Sequence, residues 1–566
     1  MYILGIGGFS HDSAACLVDD GRLVAAAMEE RFTRRKHEGG IPRKAVEYCL
    51  SEAGITLDDV DHVGVYMDPG VRLRRRIPYR IRQFPKSPKF SMAYLMYEFY
   101  HNAEFILGSR SLRGAKAQLH FLDHHLMHAA SAFLVSPFES AAFLTIDYIG
   151  EWTATLWGVG EGSELTKLGE IAYPHSLGVV YSAVTDYLGF LRANDEYKVM
   201  GLAAYGEPVY YDDFRRMVKL LPGGRYRIDL SNFIYHYAPG SQLGYMSDAF
   251  KKRYGPKRRK GDPIEKRHMD IASSVQKVLE DTVLHMCAHL HEETGESRLC
   301  IAGGVGLNSV MNGRLLREGP FREIYVQPAA GDDGIAIGAA FYLYNTVLGN
   351  PRGFVMDHAY WGPEYSDGEI RDYLELCKLP YEELDSPERK AAELIADGEI
   401  VGWFQGRMEF GPRALGARSI LADPRRADMK DILNKYVKHR EEFRPFAPAV
   451  LEQEAGRYFD GCHRSPFMLF VHDVIPDRRE QVPSITHVDG TGRVQTVDSK
   501  ANPRYRAMIE DFKALTGVPV VINTSFNIRG EPIVCSPADA VRCFFGTGMD
   551  SLVMGRFLLR KQWPSA

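Results

Sequence analysis

The densest chemistry in the 566-residue chain is the run Asp123-His124-His125-Leu126-Met127-His128. The small and apolar residues Ala129 to Phe133 continue it as a helix, which puts His124 and His128 one turn apart on one face. Two imidazoles at that spacing can grip one metal ion. A zinc protease would carry its glutamate base in the second position; His125 stands there instead, which disfavours protease chemistry. Without a metal the same residues are a histidine-rich helix start, and the spacing leaves both readings open. Asp147, at the end of an apolar strand, and Asp332, in the turn Gly331-Asp332-Asp333-Gly334, could complete the coordination. Carboxylates at strand ends are common, so neither decides the matter alone.

Three further constellations could meet phosphate. Gly303-Gly304-Val305-Gly306-Leu307-Asn308 follows a strand, as does the Gly331–Gly334 turn, and glycines there let backbone approach a nucleotide closely. Neither is a dinucleotide fingerprint, and no Walker lysine follows. Ser10-His11-Asp12-Ser13 sits beside the first strand, with Glu29-Glu30-Arg31 and Lys36-His37 further on. His11 could touch phosphate or act as a base; alone it reads as a surface residue. In the C-terminal part stand Glu409 to Ser419 with Arg413, Lys438-His439-Arg440, Arg444-Pro445, Arg493, and Asn523-Thr524-Ser525-Phe526-Asn527. Arginines beside Gly and Pro on turns make fixed forks for phosphate or carboxylate oxygens. Two basic runs, Arg72 to Lys89 and Lys251 to Lys260, could hold RNA but lack an aromatic stacking platform, and read as solvated surface.

These residues need elements to hold them. Strands are predicted at Tyr2–Ile6, Ser13–Val18, Leu23–Met28, Ala141–Ile146, Thr153–Val159, Arg298–Ala302 and Glu323–Val326, with helices at Arg43–Ala53 and Asp270–Glu293. The repetition suggests a duplicated α/β domain over residues 1–352. Gly349, Pro351, Gly353, Gly362 and Pro363 mark a linker. A second, α+β domain over 353–566 holds a helix at Pro387–Asp397 and strands at Ile400–Phe404 and Val518–Ile522. A chain of this length and 45% hydrophobic content exceeds one core. A net charge of −4 does not call for nucleic acid. Apolar stretches are short, so no membrane span is expected, and MYILGIGG lacks the features of a signal peptide. Eight scattered cysteines fit reduced thiols in a cytoplasm.

Taken together, His11 to Ala15, Glu29 to Arg34 with Lys36-His37, Asp123 to His128, Glu196 to Leu202, Glu409 to Ser419, Lys438 to Pro448 and Asn523 to Asn527 make the chain resemble the NodU/CmcH family of O-carbamoyltransferases over nearly its whole length. The resemblance implies an actin-like, TsaD-like first domain and a YrdC-like second one, whose Lys-x-Arg and Ser-x-Asn signature corresponds to Lys438-His439-Arg440 and Ser525-Phe526-Asn527. It implies carbamoyl adenylate formation from carbamoyl phosphate and ATP with Mg²⁺, and carbamoyl transfer to a hydroxyl of a small acceptor such as a natural-product sugar, aminoglycoside or macrolide. Arg413, Lys438, Arg444, Arg493 and Ser525 would hold oxyanions, with Arg440 and Asn527 at the nucleotide. His124, His128, Asp147 and Asp332 would hold Fe²⁺, or Zn²⁺, which suits the same ligands. His11 and Lys36 would flank the acceptor, and Gly303, Gly304 and Asn308 the adenosine. A homodimer is one assembly it permits. Two departures stand out: Tyr148 follows Asp147 where the family carries Gly, and Asp333 beside Asp332 could shift the ligand by one.

Overall fold

The computed structural model describes residues 1–238 and 244–561. The chain divides into two compact units, Met1–Ala26 with His37–Met356, and Ala27–Lys36 with Asp357–Ala566.

In the first unit β1 (Tyr2–Gly7) is buried from Ile3 onward, because an internal strand covered on both faces reads as a continuous apolar run. It pairs antiparallel with β2 (Ala14–Asp19) and parallel with β4 (His62–Val65), which pairs parallel with β5 (Gln118–Phe121). With β3 (Arg22–Met28) the order is β3-β2-β1-β4-β5. The second sheet repeats it. There β6 (Ser140–Ile146) pairs antiparallel with β7 (Thr153–Glu161), and β8 (Glu164–Ala172) lies outside β7. After a small ribbon of β9 (Val218–Leu221) and β10 (Arg225–Ile228), β11 (Arg298–Ala302) adds parallel to β6 and β12 (Glu323–Val326) parallel to β11. The order β8-β7-β6-β11-β12 mirrors the first sheet, so the unit is a duplicated mixed α/β domain.

The helix Ile335–Phe341 packs against both β1 and the helix His124–Phe133. Gly338 makes that approach possible, because a Cβ there would fall on the carbonyl oxygen of Met127. The packing fixes the Asp332 turn, just before one helix, against the histidines that open the other.

The segment 68–110, an insertion in the sequence reading, is a helical hairpin of Pro69–Gln83 and Pro88–Arg110. Arg72, Arg76 and Arg80 of its basic run turn inward, while Arg74, Arg75, Arg82, Lys86 and Lys89 are exposed, as the sequence reading has them. Arg72 and Arg76 both pair with Glu98, a fully buried carboxylate, at 2.8 and 3.1 Å. Arg80 lies over the Tyr94 ring at 4.8 Å. In the other run Lys257 pairs with Asp186 and Arg253 hydrogen-bonds Asp213, while buried Arg258 donates to carbonyls of Leu188 and Asp262. The segment 232–268 includes 239–243, which lie outside the described residues.

The second unit is built on a nine-stranded sheet. Its strands are β13 (Glu382–Glu383), β14 (Val401–Phe404), β15 (Arg418–Ala422), β16 (Ala447–Leu451), β17 (Phe470–Asp473), β18 (Thr491–Val497), β19 (Val520–Ser525), β20 (Ser551–Met554) and β21 (Phe557–Arg560). Their order is β13-β21-β20-β14-β15-β19-β16-β18-β17. The core runs from Trp403 through Ile420, Val450 and Ile522 to Val553. Residues 27–36 belong here, although the sequence division at 352 counted them with the first domain. Arg31 donates to Gly411 O at 2.9 Å and Arg34 to Ile533 O at 2.7 Å, with Asp539 3.2 Å from Arg34 Nε. Phe32 packs on Met408, Ala414, Ile533 and Cys535. Carbonyls and a carboxylate thus replace the water that buried Arg31 and half-buried Arg34 lose.

Candidate metal centre and anion site

Asp123 caps the helix His124–Phe133, accepting the Leu126 N–H at 2.8 Å, so the helix begins where its histidines do. His124 Nε2 lies 3.3 Å from Asp147 Oδ2 and 3.8 Å from Asp332 Oδ1. His128 Nε2 lies 3.8 and 3.7 Å from the same two oxygens. All four side chains are buried, and their ligand atoms lie within 4.8 Å of one another. Donors about 2.1 Å from a shared ion sit about 3.0 Å apart in an octahedron and about 3.4 Å in a tetrahedron, so the observed spacing fits a cation better than a web of hydrogen bonds. Consistent with that, neither ring nitrogen of fully buried His128 has a hydrogen-bond partner among the described residues. Asp332, and not Asp333, belongs to the set.

Neighbouring backbone orients these ligands. Asp147 Oδ1 accepts the Gly304 N–H at 2.8 Å, so that glycine is engaged with a ligand. Asn308 caps the following helix through Met311 N and exchanges hydrogen bonds with Gln276 at 3.1 and 2.9 Å. Its side chain is therefore committed to structure, and Gly303 offers backbone alone. The loop after Asp147 does more than the sequence revealed. Gly150 lies against the His124 side chain, where an added Cβ would crowd the ring. The Glu151 carboxylate accepts the N–H of Asp68 at 2.7 Å and that of His124 at 3.2 Å. Burial, then the charge of Asp123, pushes its pKa up to about 7. Arg76 clamps the loop from outside, donating to Glu151 O at 2.7 Å and Gly150 O at 2.5 Å. Tyr148 turns its hydroxyl to Tyr245 at 3.0 Å, and Arg192 covers the Tyr245 ring at 4.2 Å.

His11 stands beside this centre, Nε2 3.9 Å from Asp332 Oδ2 and Nδ1 3.0 Å from Asp12. Asp12 also meets His37 Nδ1 at 2.7 Å. Burial opposes a charge on His11, but Asp332 and Asp12 outweigh it and push its pKa up to about 10. A cation on the neighbouring carboxylates would act in the opposite direction and lower it.

Lys36 lies in the other unit, where its charge is among those acting on Lys438. The Lys-x-Arg and Ser-x-Asn stretches meet there. Lys438 Nζ donates to Ser525 O at 2.7 Å, Asn527 O at 2.9 Å and Asn527 Oδ1 at 2.6 Å. His439 between Lys438 and Arg440 takes the left-handed conformation, φ 46°, a backbone cost that often marks a working site. Arg440 rests on Phe446 at 4.4 Å and donates to Asn434 at 2.6 Å. Burial, and then the charges of Arg413, Arg440 and Arg444, hold Arg493 well below the usual guanidinium range; its Nε has no hydrogen-bond partner among the described residues. Lys438 is likewise depressed, by burial and then Arg440. The Glu409–Ser419 turn is wound on a carboxylate: Glu409 Oε1 accepts the N–H groups of Leu415 and Ala417, each at 2.7 Å. Arg418 is spent internally on Gln405 O, Gly406 O and Pro363 O.

Sequence comparison gives these two sites a context. A family model described as Carbamoyltransferase N-terminus matches residues 2–341, and one described as Carbamoyltransferase C-terminus matches 392–561. The chain is 41% identical over 569 residues to Nodulation protein NolNO of Sinorhizobium fredii, covering 98% of this chain and 80% of the relative. It is 43% identical over 451 residues to Nodulation protein NolO of Bradyrhizobium diazoefficiens, covering 78% and 79%. An uncharacterised Synechocystis protein is 44% identical over 599 residues, covering 99% and 97%. With both halves matched and relatives aligned along most of its length, the chain belongs to the NodU/CmcH-type carbamoyltransferases.

Proposed function

We propose that the chain is an ATP-dependent O-carbamoyltransferase whose second unit makes carbamoyl adenylate and whose first unit transfers the carbamoyl group to a hydroxyl of a small acceptor. The observation that carries this is the convergence of Arg413, Arg440 and Arg444 on buried Arg493, with Arg440 and Arg444 acting on Lys438 as well, a concentration of positive charge suited to a polyanion. Water cleaves carbamoyl phosphate to carbamate and inorganic phosphate. A carbamate oxygen then attacks the α-phosphorus of Mg²⁺-bound ATP, and the bond to pyrophosphate breaks. Arg413, Arg444 and Arg493 offset the repulsion between the two anions, while Lys438, fixed by Ser525 and Asn527, meets charge developing on the phosphoryl oxygens. In the transfer step the acceptor oxygen attacks the carbamoyl carbon, AMP leaves, and the hydroxyl proton goes to a base, the role proposed for His11 beside the metal ligands.

The donor set of two imidazoles and two carboxylates suits Fe²⁺ or Zn²⁺. Bound there, the ion would supply Lewis-acid polarisation of a carbonyl. Tyr148 and Tyr245 would shape the acceptor pocket. The actin-like and YrdC-like assignments and the cytoplasmic setting belong to the same proposal. A tRNA-modifying role fits less well, because Arg72, Arg76, Lys257 and Arg258 of the basic runs are tied to internal carboxylates and carbonyls.

The test is to supply Mg-ATP and carbamoyl phosphate and follow pyrophosphate. Release that depends on carbamoyl phosphate supports the reading. No release, or release unaffected by carbamoyl phosphate, contradicts it. Mass-spectrometric screening of hydroxylated acceptors then names the substrate.

A further inference from the structure

Two arginines of the first unit rest on tyrosine rings with no carboxylate to neutralise them. Arg80, near the end of the helix Pro69–Gln83, is 6% exposed. Its guanidinium stands 4.8 Å from the centre of the Tyr94 ring and 5.9 Å from that of Tyr173. Arg192 stands 4.2 Å from the centre of the Tyr245 ring. The rings are continuous: Tyr173 meets Tyr235 at 6.3 Å, and Tyr235 meets Tyr245 at 5.9 Å. Burial and then Tyr245 push the Tyr94 pKa up while Arg80 lowers it, so Tyr94 joins the two ends. The row reaches the metal centre, because Tyr148, which follows the ligand Asp147, donates its hydroxyl to that of Tyr245 at 3.0 Å.

The carboxylates around this row are committed elsewhere. Glu98, on the helix that carries Tyr94, holds Arg72 and Arg76. Asp195 pairs with Lys198 at 3.0 Å, and Glu196 accepts the Ala193 N–H at 2.7 Å. Among the described residues Arg80 Nε has no hydrogen-bond partner. A ring face offsets part of the hydration a buried cation loses, but it leaves the N–H edge of the guanidinium unfilled. A buried charge without an anion is costly. The Arg192 loop carries a second cost: Ala193 sits at φ 54°, locked in the left-handed region by Glu196 and by Ser182 Oγ at 3.1 Å. Guanidinium forks held on rigid rings beside a reaction centre suit the oxygens of a carboxylate, sulfate or phosphate. Resting on the transfer reaction proposed above, we propose that Arg80 and Arg192 are specificity-determining residues that hold an anionic group of the acceptor. The acceptor is then a hydroxylated acid, such as an acidic sugar, and not a polycation.

Ligand-observed NMR titration of the full chain, without ATP or carbamoyl phosphate, tests it with D-glucuronate, D-glucose 6-sulfate, methyl glucoside and D-glucosamine. The acids are expected to bind about tenfold or more tighter than methyl glucoside, with glucosamine weakest. Preference for glucuronate alone assigns a carboxylate, and preference for the sulfate alone an ester oxyanion. Arg192→Gln and Arg80→Gln should each weaken binding of the acids about tenfold or more, and of methyl glucoside by less. Arg192→Lys, which keeps the charge but not the fork, should fall between. Equal binding of acid and neutral sugar, binding of none, or tighter binding of glucosamine overturns the proposal. An acid preference that survives Arg192→Gln overturns it too, as does an equal loss for all four sugars, which marks a structural role. If Arg80→Gln fails to fold, the half-buried Arg192 decides. Pyrophosphate release is read separately, so a failure of the transfer reading shows there and a failure of this one in the binding ratios.

Discussion

Arg76→Met should loosen the metal centre without touching a ligand. The guanidinium donates to Gly150 O and Glu151 O and pairs with Glu98, which is 0% exposed. Each charge-assisted hydrogen bond is worth about 1.5–3 kcal/mol, and breaking a buried ion pair costs about 3–5 kcal/mol. These figures overlap, since one group supplies all three contacts, so the expected loss of stability is about 3–5 kcal/mol. Function is affected through the loop. Gly150 and Glu151 follow Asp147 closely, and Glu151 also holds the His124 N–H, so one loop aligns two of the four proposed ligands. Losing such outer support typically lowers metal affinity about 10–100-fold. The assay is Co²⁺ and Zn²⁺ titration of metal-free protein, beside urea unfolding. Arg75→Met, exposed on the same helix, is the control, with a change within about 0.5 kcal/mol. If Arg76→Met is destabilised as expected yet binds metal as tightly as wild type, the coupling argued here is wrong. Arg76→Lys, which keeps the charge but not the fork, should fall between.

Other outcomes follow from the same geometry. His128→Ala should lose bound metal by elemental analysis, and full retention would remove it from the ligand set. His268 accepts the Glu265 N–H at 2.9 Å, and burial, then Arg267, lowers its pKa to about 4 from 6.5. Because the folded value lies below the unfolded one, its contribution is full above pH 6.5 and is lost as pH falls toward 4, by at most about 3 kcal/mol. His268→Gln keeps an acceptor and should flatten that part of the stability–pH curve; an unchanged difference between pH 7 and 4 would count against it.

Periodic and local features were legible in the sequence. β11, β12 and the helix Arg43–Ala53 occupy the predicted residues, because strand propensity and an αL glycine stop at Gly54 are local signals. His124 and His128 come together with Asp147 and Asp332 because the histidines share one helix face and the two aspartates stand at element ends whose direction the sequence set. What escaped depends on long-range burial. Arg72 and Arg76 read as solvated charge, since nothing nearby in sequence announces Glu98, about a helix length away. Arg31 and Arg34 looked like neighbours of His11, yet their carbonyl partners lie near residues 411 and 533. Arg418 stands in the same run as Arg413, but it is internal, and Glu409 rather than an arginine organises that turn. No spacing rule marks Glu151, whose value lies in two backbone N–H groups from separate segments.

The division of labour between the two sites is the central claim, and pyrophosphate release by two variants tests it most directly. His124→Ala should release pyrophosphate from ATP in a carbamoyl-phosphate-dependent way at close to the wild-type rate, while failing to carbamoylate an acceptor. Lys438→Ala should release none. An enzyme whose activation step needs His124 and tolerates the loss of Lys438 would contradict the account.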